Sequence, residues 1–372
     1  MIVKLKDVVN RVNNNIDRFT TDIQYYLGKG HGECGELAIS EHGDLKKDVG
    51  TLGFKFHFGF KPGDTLFFSR SFALRKAGMA TYEGICSDST YILRSKDEAK
   101  LLSKYLPIVL QSDVFWEYCD THHTGGVNFL INWSTLADYE FDLPCLEEQQ
   151  RISDRIWSAY NLKESYKKLL IATDELVKSQ FIEMFKDLPI NGKIEDLVER
   201  NIASVKKSYQ SGDEIEYIDI SSIDNTSNTV VETTKYEVAS APSRAQQCVK
   251  NGDILVSTVR PINRNIAVVT SNLPDLVAST GFCILRPKDG YREYLLSVVK
   301  SDAYTERMCD KASGGLYPAV NNSDVLSYGI HIPNKELAQM VSSIYQQADK
   351  SKFELRKSIE AIDAVIKSLI NG

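Results

Sequence analysis

The sequence repeats itself at an offset of 189 residues, and this repeat constrains the fold more than any other feature of the chain. Pro144 and Pro333 form one matched pair, and each precedes a long stretch without glycine or proline. Further matched pairs run from one end of the repeat to the other: Lys4 with Lys193, Asp64 with Asp253, Gly125 with Gly314, Tyr139 with Tyr328, Lys163 with Lys352, and Asp174 with Asp363. The sequence therefore predicts a tandem duplication of a globular unit followed by a long helix, with a period far too long for a solenoid.

The stretches at residues 143–187 and 333–372 are predicted to be long helices that begin at these prolines. Apolar residues recur at helical spacing in both. In the second stretch they form a heptad seam at Leu337, Val341, Ile344, Ala348, Ser351, Leu355, Ser358, Ile362, Val365 and Leu369, which Ile359 and Ile366 widen. About 40 residues at ~1.5 Å per residue make a rod of roughly 60 Å, which needs a partner helix. We predict an antiparallel coiled coil; the alternative is a pair of ordinary amphipathic core helices.

The segments before the helices, residues 1–142 and 188–332, are predicted to be mixed α/β domains. Phenylalanine alternates with other residues from Phe54 to Phe60, as in a half-buried strand. The runs TLFFS and YILRS are predicted as further strands, whereas residues 1 to about 20 and 98–119 are expected to be helical. The predicted fold class is thus α+β: a tandem repeat of two mixed α/β domains joined by two long antiparallel helices.

Composition sets broad limits on function. The formal net charge is −6, which argues mildly against a nucleic-acid binder, although residues 244–265 carry four basic residues and one acidic residue. Seven cysteines occur without a C-x-x-C pair, so we expect reduced, mostly buried thiols and a cytoplasmic protein. The sequence shows no pattern typical of a signal peptide and no apolar run of bilayer-spanning length, so we expect neither a leader nor a transmembrane segment.

Motifs for catalysis are missing from the sequence. Neither a dinucleotide-binding G-x-G-x-x-G after a strand nor a P-loop occurs. The candidate nuclease residues Asp64, Glu98 and Lys100 are loosely spaced. Two sets of potential metal ligands lack a tetrahedral complement: Cys119 with His122 and His123, and His31 with Glu33 and Cys34. We therefore expect no catalytic residues, no metal site and no enzymatic activity in this chain alone.

Two polar loops in each repeat are candidate DNA-binding sites. Arginine suits guanine, asparagine suits adenine, and hydroxyl groups suit the phosphate backbone. In the first repeat the candidates are Ser69, Arg70, Arg75, Lys76, His122, His123, Thr124 and Asn128. In the second repeat they are Arg244, Ser257, Thr258, Arg260, Asn263, Arg264, Asn265, Lys311, Ser313 and Tyr317. Residues 70–75 are matched with residues 260–265 in this comparison. The alternative is a solvated surface loop with turn glycines.

The order of globular unit and helix, given twice, resembles the specificity subunit of type I restriction-modification systems, and the resemblance covers the whole chain. The residues that carry it are Leu143 to Gln150 (LPCLEEQQ), Gln180 to Phe185, Gly252 to Arg260, Ala278 to Phe282 leading into Arg286-Pro287, and Gly314 to Pro318. The resemblance implies two target recognition domains, residues 1–142 and 188–332, that read the two halves of an interrupted DNA sequence. It also implies that the two helices form a coiled coil that acts as a spacer.

The same resemblance implies partners for the chain besides double-stranded DNA. Two methyltransferase subunits would dock on the helices, and a nuclease-translocase subunit is a further candidate. These partners would bring S-adenosylmethionine and ATP, for which this chain has no binding motif, so we expect no cofactor in the chain itself. Two alternatives stay open: a protein-only assembly scaffold, and the specificity subunit of a related methylation-only or type IIB-like system.

Overall fold

The computed structural model describes the chain except for residues 71–73, 127–128 and 226. It divides into two compact units. The first consists of Met1–Lys168 and Leu355–Gly372, and the second of Leu169–Glu354. Each unit therefore holds one globular repeat together with parts of both long helices. The predicted α+β fold class is confirmed.

The two long helices span Leu146–Phe185 and Lys335–Asn371. Both begin after the prolines rather than at them, because the first helical hydrogen bonds start one residue later. The amide of Gln149 donates to the carbonyl of Cys145 at 2.9 Å, and the Asn334 side chain accepts from the amide of Leu337 at 2.8 Å. Asn334 thus caps the second helix, and the prediction that the prolines occupy the first turn is wrong.

The heptad seam changes position at the end of the second helix. Val365, which the pattern assigns to the seam, is 52% exposed, whereas Ile366, which the pattern gives as widening the seam, is 6% exposed. Ile362, Ile366 and Leu369 pack against the main core of the first unit, together with Ile156 of the first helix. The helix end is therefore buried against a globular domain as well as a helix, which rotates its apolar face.

Three sheets occur among the described residues of the first unit. Ile2–Lys4 pairs antiparallel with Glu140–Asp142. The five-stranded sheet has the order Val9–Val12, Thr90–Ser95, Thr65–Phe68, Ala77–Ala80 and Ala38–Ile39. The four-stranded sheet has the order Gly43–Asp44, Tyr25–Leu27, Gly84–Ser87 and Phe56–Phe60. The shorter helices are Leu5–Val8, Leu45–Asp48, Leu106–Leu110, Asp113–His122 and Trp133–Ala137.

The described part of the second unit repeats this plan. Gly192–Lys193 pairs antiparallel with Gly329–Ile330. The five-stranded sheet has the order Ile223–Asp224, Thr229–Val230, Ile266–Val268, Ile254–Ser257 and Phe282–Leu285. The four-stranded sheet has the order Thr234–Glu237, Glu214–Ile218, Leu276–Ser279 and Ala245–Cys248. The shorter helices are Val205–Ser208, Arg292–Lys300, Asp302–Lys311 and Asn322–Leu326, with 3₁₀ turns at Ile194–Leu197, Ile220–Ser222 and Pro261–Asn263.

Two local predictions fail where distant pairing or a helix cap decides the structure. Residues 1 to about 20 contain one short helix between two strands, because both strands pair with residues far along the chain. The segment 98–119 is broken at Ser112, whose hydroxyl caps the following helix by accepting from the amide of Phe115 at 3.2 Å. Ser301 caps the equivalent helix of the second unit in the same way.

In each unit, a buried aspartate paired with an arginine holds the strand that leads into the first candidate loop. Arg94 donates twice to the carboxylate of Asp64, at 2.7 and 2.9 Å. Arg286 makes the equivalent contacts with Asp253, at 2.8 and 2.7 Å. Both aspartates are 1% exposed. Each carboxylate is fully engaged, so removing its arginine would leave a buried unpaired charge.

Candidate nucleic-acid interface

In the second unit, the structure brings the two predicted loops together. Val259, at the end of a core strand, forms a β-bridge with Ala319, which follows the Gly-Gly pair. The amide of Arg260 donates to the carbonyl of Pro318 at 2.7 Å. Arg260 itself has a left-handed backbone, with φ of 48°. The backbone thus fixes the arginine beside the Gly-Gly loop, as one surface.

The tip of this surface combines a cation with exposed apolar groups. The guanidinium of Arg260 lies 4.7 Å from the ring centroid of Tyr317, and one of its nitrogens donates to the carbonyl of Leu316 at 3.4 Å. Leu316 is 80% exposed and Tyr317 is 61% exposed. Cation–π contact limits the freedom of the arginine side chain. We call Arg260, Leu316 and Tyr317 the second-unit tip.

The first unit builds the same junction from equivalent residues. Arg70 forms a β-bridge with Leu130, and the amide of Ile131 donates to the carbonyl of Ser69 at 3.0 Å. An aromatic side chain again stands in the Gly-Gly loop, where the rings of His123 and Phe129 lie 4.4 Å apart. Because the offset of 189 is kept at each contact, the junction is a repeated feature of the fold.

The register of the arginine loops differs by one residue from the sequence match. The equivalent bridges show that Arg70 corresponds to Val259, so Arg75 corresponds to Arg264 rather than to Asn265. Arg75 and Arg264 also share a left-handed backbone, with φ of 46° and 50°. The sequence match aligned Arg70 with Arg260 because both are arginines, whereas the backbone pairing aligns Arg70 with Val259.

Arg75 and Arg264 contact aspartates within the protein. Arg264 lies 2.7 Å from a carboxylate oxygen of Asp302, and Lys178 of the first long helix lies 2.8 Å from the other. These two cations lower the pKa of Asp302, with Lys178 as the larger cause. In the first unit, Asp113 is within 3.8 Å of Arg75 and 4.0 Å of Lys367. Each aspartate therefore links a candidate loop to a long helix of its own unit.

Three of the predicted hydroxyl groups face inward. Ser69, Ser257 and Thr258 are each less than one-tenth exposed. The hydroxyl of Ser69 donates to the carbonyl of Ser89 at 2.7 Å. Ser257 donates to the carbonyl of Val259, and Thr258 donates to that of Gly281, each at 3.0 Å. These hydroxyls brace the loop framework in this arrangement. Their predicted contact with the DNA backbone stays a prediction.

The other predicted residues lie around the two junctions. Arg244, Asn263, Lys311 and Ser313 are exposed in the second unit, as are His122 and Thr124 in the first. His122 stacks on the ring of Tyr118, Thr124 donates to the carbonyl of Leu130, and Lys311 pairs with Asp324 at 3.1 Å. The backbone carbonyl of Asn265 accepts from the amide of Ser257, and Asn128 lies outside the described residues.

Lys29, which contacts Lys76 and lines a neighbouring cavity, was not among the residues predicted from the sequence. Lys76 donates to the carbonyl of Lys29 at 3.2 Å. Lys29 lines a cavity of about 330 Å³ together with Arg70, Phe68 and Phe129. The signal that could have found this surface is a large apolar residue beside each Gly-Gly pair, Phe129 in one repeat and Leu316 in the other.

The considered catalytic and metal sets do not converge. Glu98 accepts from the amide of Ser103, whereas Asp64 accepts from Arg94, so these two carboxylates have separate partners within the fold. Within the described residues, the structure contains no group of three or more histidine, cysteine, aspartate or glutamate side chains placed to hold a metal ion. None of the described helices combines the length and the apolar character needed to cross a membrane.

The thiols are free, and their burial varies more than expected. Cys86, Cys119 and Cys283 are buried, whereas Cys34 and Cys145 are exposed. Burial raises the pKa of Cys119 and of Cys283 to about 12, and it raises that of Cys86 further. The buried thiols are therefore unreactive parts of the core.

Comparisons with known proteins point to one family. No family model matches the chain. Over 140 residues the chain is 29% identical to the type I restriction enzyme HindI specificity subunit of Haemophilus influenzae, a match that covers 36% of this chain and 30% of that relative.

Two solved structures match over the whole fold. One belongs to a study of complex assembly and conformational transition of the type I R-M system, with a TM-score of 0.55, 15% identity, and coverage of 100% of this chain and 96% of the other. The other is the type I restriction-modification S subunit from M. genitalium, with a TM-score of 0.53, 12% identity, and coverage of 100% and 94%. The predicted resemblance is thus confirmed: the chain has the fold of type I restriction-modification specificity subunits throughout and is similar in sequence to one of them over part of its length.

Proposed function

We propose that the chain is the DNA-specificity subunit of a type I restriction-modification complex and has no catalytic activity of its own. The observation that carries the proposal is the junction found in both units, where a strand-end loop is bonded to a Gly-Gly loop. Two copies of one scaffold with different side chains at the tip suit the reading of two different half-sites. The tip of the second unit holds Arg260 and Tyr317, and that of the first holds Arg70 and Phe129.

The chemistry of the tips fits DNA better than protein alone. Arginine forms bidentate hydrogen bonds with guanine or contacts phosphate, and exposed aromatic and aliphatic groups contact bases or thymine methyl groups. The chain's formal net charge of −6 means that binding depends on such local groups rather than on overall attraction. We assign base contact to the tip arginines, Arg70 and Arg260. Arg75 and Arg264 position the loops through their aspartates.

The long helices are the proposed docking surface for two methyltransferase subunits. Leu162, Leu169 and Leu176 recur every seven residues on the first helix, and each is about half exposed. Exposed apolar residues in a stripe indicate a protein interface. The methyltransferase subunits would supply S-adenosylmethionine, and a nuclease-translocase subunit would supply ATP hydrolysis. In the proposed complex the helices also set the spacer between half-sites.

The proposed target is an interrupted, non-palindromic sequence, and the proposed role is cytoplasmic defence against foreign DNA. A related methylation-only system would use the same chain without the nuclease. A protein-only scaffold can be distinguished by experiment, because its assembly with partner subunits would not depend on the tip arginines, Arg70 and Arg260.

The test is binding of the reconstituted chain–methyltransferase complex to DNA duplexes over a range of salt concentrations. We expect one bipartite site to bind at least about a thousandfold more tightly than random duplexes, with affinity that falls steeply with salt. The variants Arg70→Ala and Arg260→Ala should weaken binding of that site while the complex still assembles. Equal affinity for every duplex would refute the proposal, and intact assembly without DNA discrimination would favour the scaffold.

A further inference from the structure

A charged cavity lies in the second unit, beside the parts of the long helices that belong to it. Its volume is about 260 Å³. Its lining includes the cations Lys178, Arg264, Lys300 and Lys352, the carboxylates Asp174 and Glu175, and the apolar groups of Val177, Phe181 and Tyr345. The cavity is thus large enough for a small molecule and combines cations with an aromatic surface.

Lys300 is the cation without a close partner. Within the described part of the chain, its ammonium group makes no hydrogen bond or salt bridge, although Asp174 and Asp349 act on it at longer range. Burial lowers its pKa. Lys352, by contrast, lies 2.9 Å from Asp174 and 3.3 Å from Asp349. Lys300 is partly buried, and a partly buried lysine without a direct partner favours an anion beside it.

The first repeat holds a carboxylate in the equivalent place. Gln111 and Lys163 are the counterparts of Lys300 and Lys352 at the offset of 189. Gln111 donates to the backbone carbonyl of Glu36 at 3.1 Å, and Lys163 lies 3.1 Å from the Glu36 carboxylate. Glu36 therefore occupies the space between the two positions whose counterparts line the cavity.

Among the described residues of the second repeat, the position equivalent to Glu36 is not occupied by a carboxylate. Thr229 pairs with Val268, and Ala38 pairs with Met79, the counterpart of Val268 at the offset of 189. Thr229 is therefore the counterpart of Ala38, and Ser227, two residues earlier, is the counterpart of Glu36. The hydroxyl of Ser227 bonds to Asp224 and Thr229 instead.

A second difference between the repeats means that Lys300 does not make the structural hydrogen bond made by its counterpart, Gln111. Gln111 donates to the carbonyl of Ala77 in the first repeat. In the second, Asn228 makes the equivalent contact with Ile266 at 3.0 Å, so position 300 is not needed for it. The lysine is left facing the cavity.

We propose that this cavity binds a small organic anion, a phosphate or carboxylate on an apolar or aromatic body, with the anionic group in the place that Glu36 fills in the first repeat. Lys300 contacts the anion, and Tyr345 and Phe181 contact the body. This site goes beyond DNA recognition and requires neither DNA nor a partner subunit.

The test is calorimetric titration of the full chain with phenyl phosphate and, separately, benzoate, with phenol as the neutral analogue. We expect one of the two anions to bind with one-to-one stoichiometry and phenol to bind at least about tenfold more weakly. Lys300→Gln introduces the residue found in the first repeat and should weaken anion binding by about tenfold or more. Lys207→Gln, at an exposed lysine outside the cavity lining, is the matched control and should change nothing.

A second measurement uses the unaltered chain and so does not depend on the folding of a variant. Whichever of the two anions binds should slow acetylation of Lys300 by an amine-reactive ester, measured by mass spectrometry, without slowing that of Lys207. Failure of both anions to bind, equal affinity in Lys300→Gln, or unchanged acetylation of Lys300 would each overturn the proposal. Because DNA is not used, such a failure leaves the proposed specificity function standing.

Discussion

The ammonium group of Lys163 lies 2.9 Å from a carboxylate oxygen of Asp363, and it joins the two long helices within the first unit. In the second unit, Lys352 makes the same contact with Asp174, also at 2.9 Å. The internal repeat converts one pair into the other. Lys163 comes before Asp174 on the first helix, whereas the partner of Lys163, Asp363, comes after the partner of Asp174, Lys352, on the second. This reversed order is that of an antiparallel pair.

The two copies of this pair should contribute differently to stability. Lys163 is almost fully buried and also contacts Glu36, whereas the partners of Lys352 are more than half exposed. Lys163→Met should reduce the free energy of unfolding by about 1–3 kcal/mol, because it leaves Glu36 with fewer cations. Lys352→Met should reduce it by less than about 1 kcal/mol. Urea denaturation of both variants is the check, and equal losses would contradict the difference in burial.

Glu36 should make the first unit sensitive to acid. Burial alone would raise the pKa of its carboxyl, but Lys167 and Lys163 outweigh it and hold the pKa below the ordinary value of 4.5. A group with a lowered folded pKa stabilises the protein above its unfolded pKa and loses that effect as pH falls through the folded pKa. The stability gap between the natural chain and Glu36→Gln should therefore be largest near neutral pH. It should shrink below about pH 4.5, and a constant gap from pH 7 to pH 3 would be inconsistent with this role.

The leucine stripe of the first helix should control assembly. Leu169→Ser introduces the residue that the second helix has at the equivalent position, Ser358, so the change suits a helix of this kind. Loss of a half-exposed leucine from an interface should weaken methyltransferase binding by about 1–2 kcal/mol, without lowering the stability of the free chain. Analytical ultracentrifugation of mixtures gives the affinity. Leu273→Ser, at another half-exposed leucine, is the control, and equal effects of the two changes would argue against docking at the stripe.

Arg264 and Asp302 should act as one unit. If the arginine positions its loop through the aspartate, Arg264→Ala and Asp302→Asn will weaken binding of the specific DNA to a similar degree, and the double variant will be little worse than either. We expect a coupling of about 0.5–2 kcal/mol. If Arg264 instead contacts a base, its loss costs roughly 1–3 kcal/mol at one position of the site, additively with Asp302→Asn. Competition binding with single-base variants of the site separates the two cases.

The parts of the fold that follow from local periodicity and from the repeat could be predicted from sequence. The spacing of apolar residues predicts both long helices, and the offset of 189 residues correctly relates Asp64 to Asp253 and Lys163 to Lys352. What sequence missed depends on contacts between distant residues. Ile2–Lys4 is a strand only because Glu140–Asp142 pairs with it.

The candidate site shows the same limit. The sequence identified the two loops that meet at Arg260 and Pro318, because glycine pairs and arginines can be recognised from residue type alone. It could not reveal that the hydroxyl of Ser257 faces inward or that Arg264 pairs with Asp302, since side-chain direction depends on the backbone register. Glu36 and Lys163 meet from distant parts of the chain, and no local pattern connects them.

The most direct test of the account is methylome sequencing of cells that carry the chain with its methyltransferase, compared with cells that carry Arg260→Ala or Arg70→Ala. We predict that the natural chain marks one interrupted, non-palindromic sequence. Arg260→Ala should relax or abolish recognition of bases in one half only, and Arg70→Ala should do so in the other half only. The account would be contradicted if either variant altered bases in both halves, or if both variants left the methylated sequence unchanged.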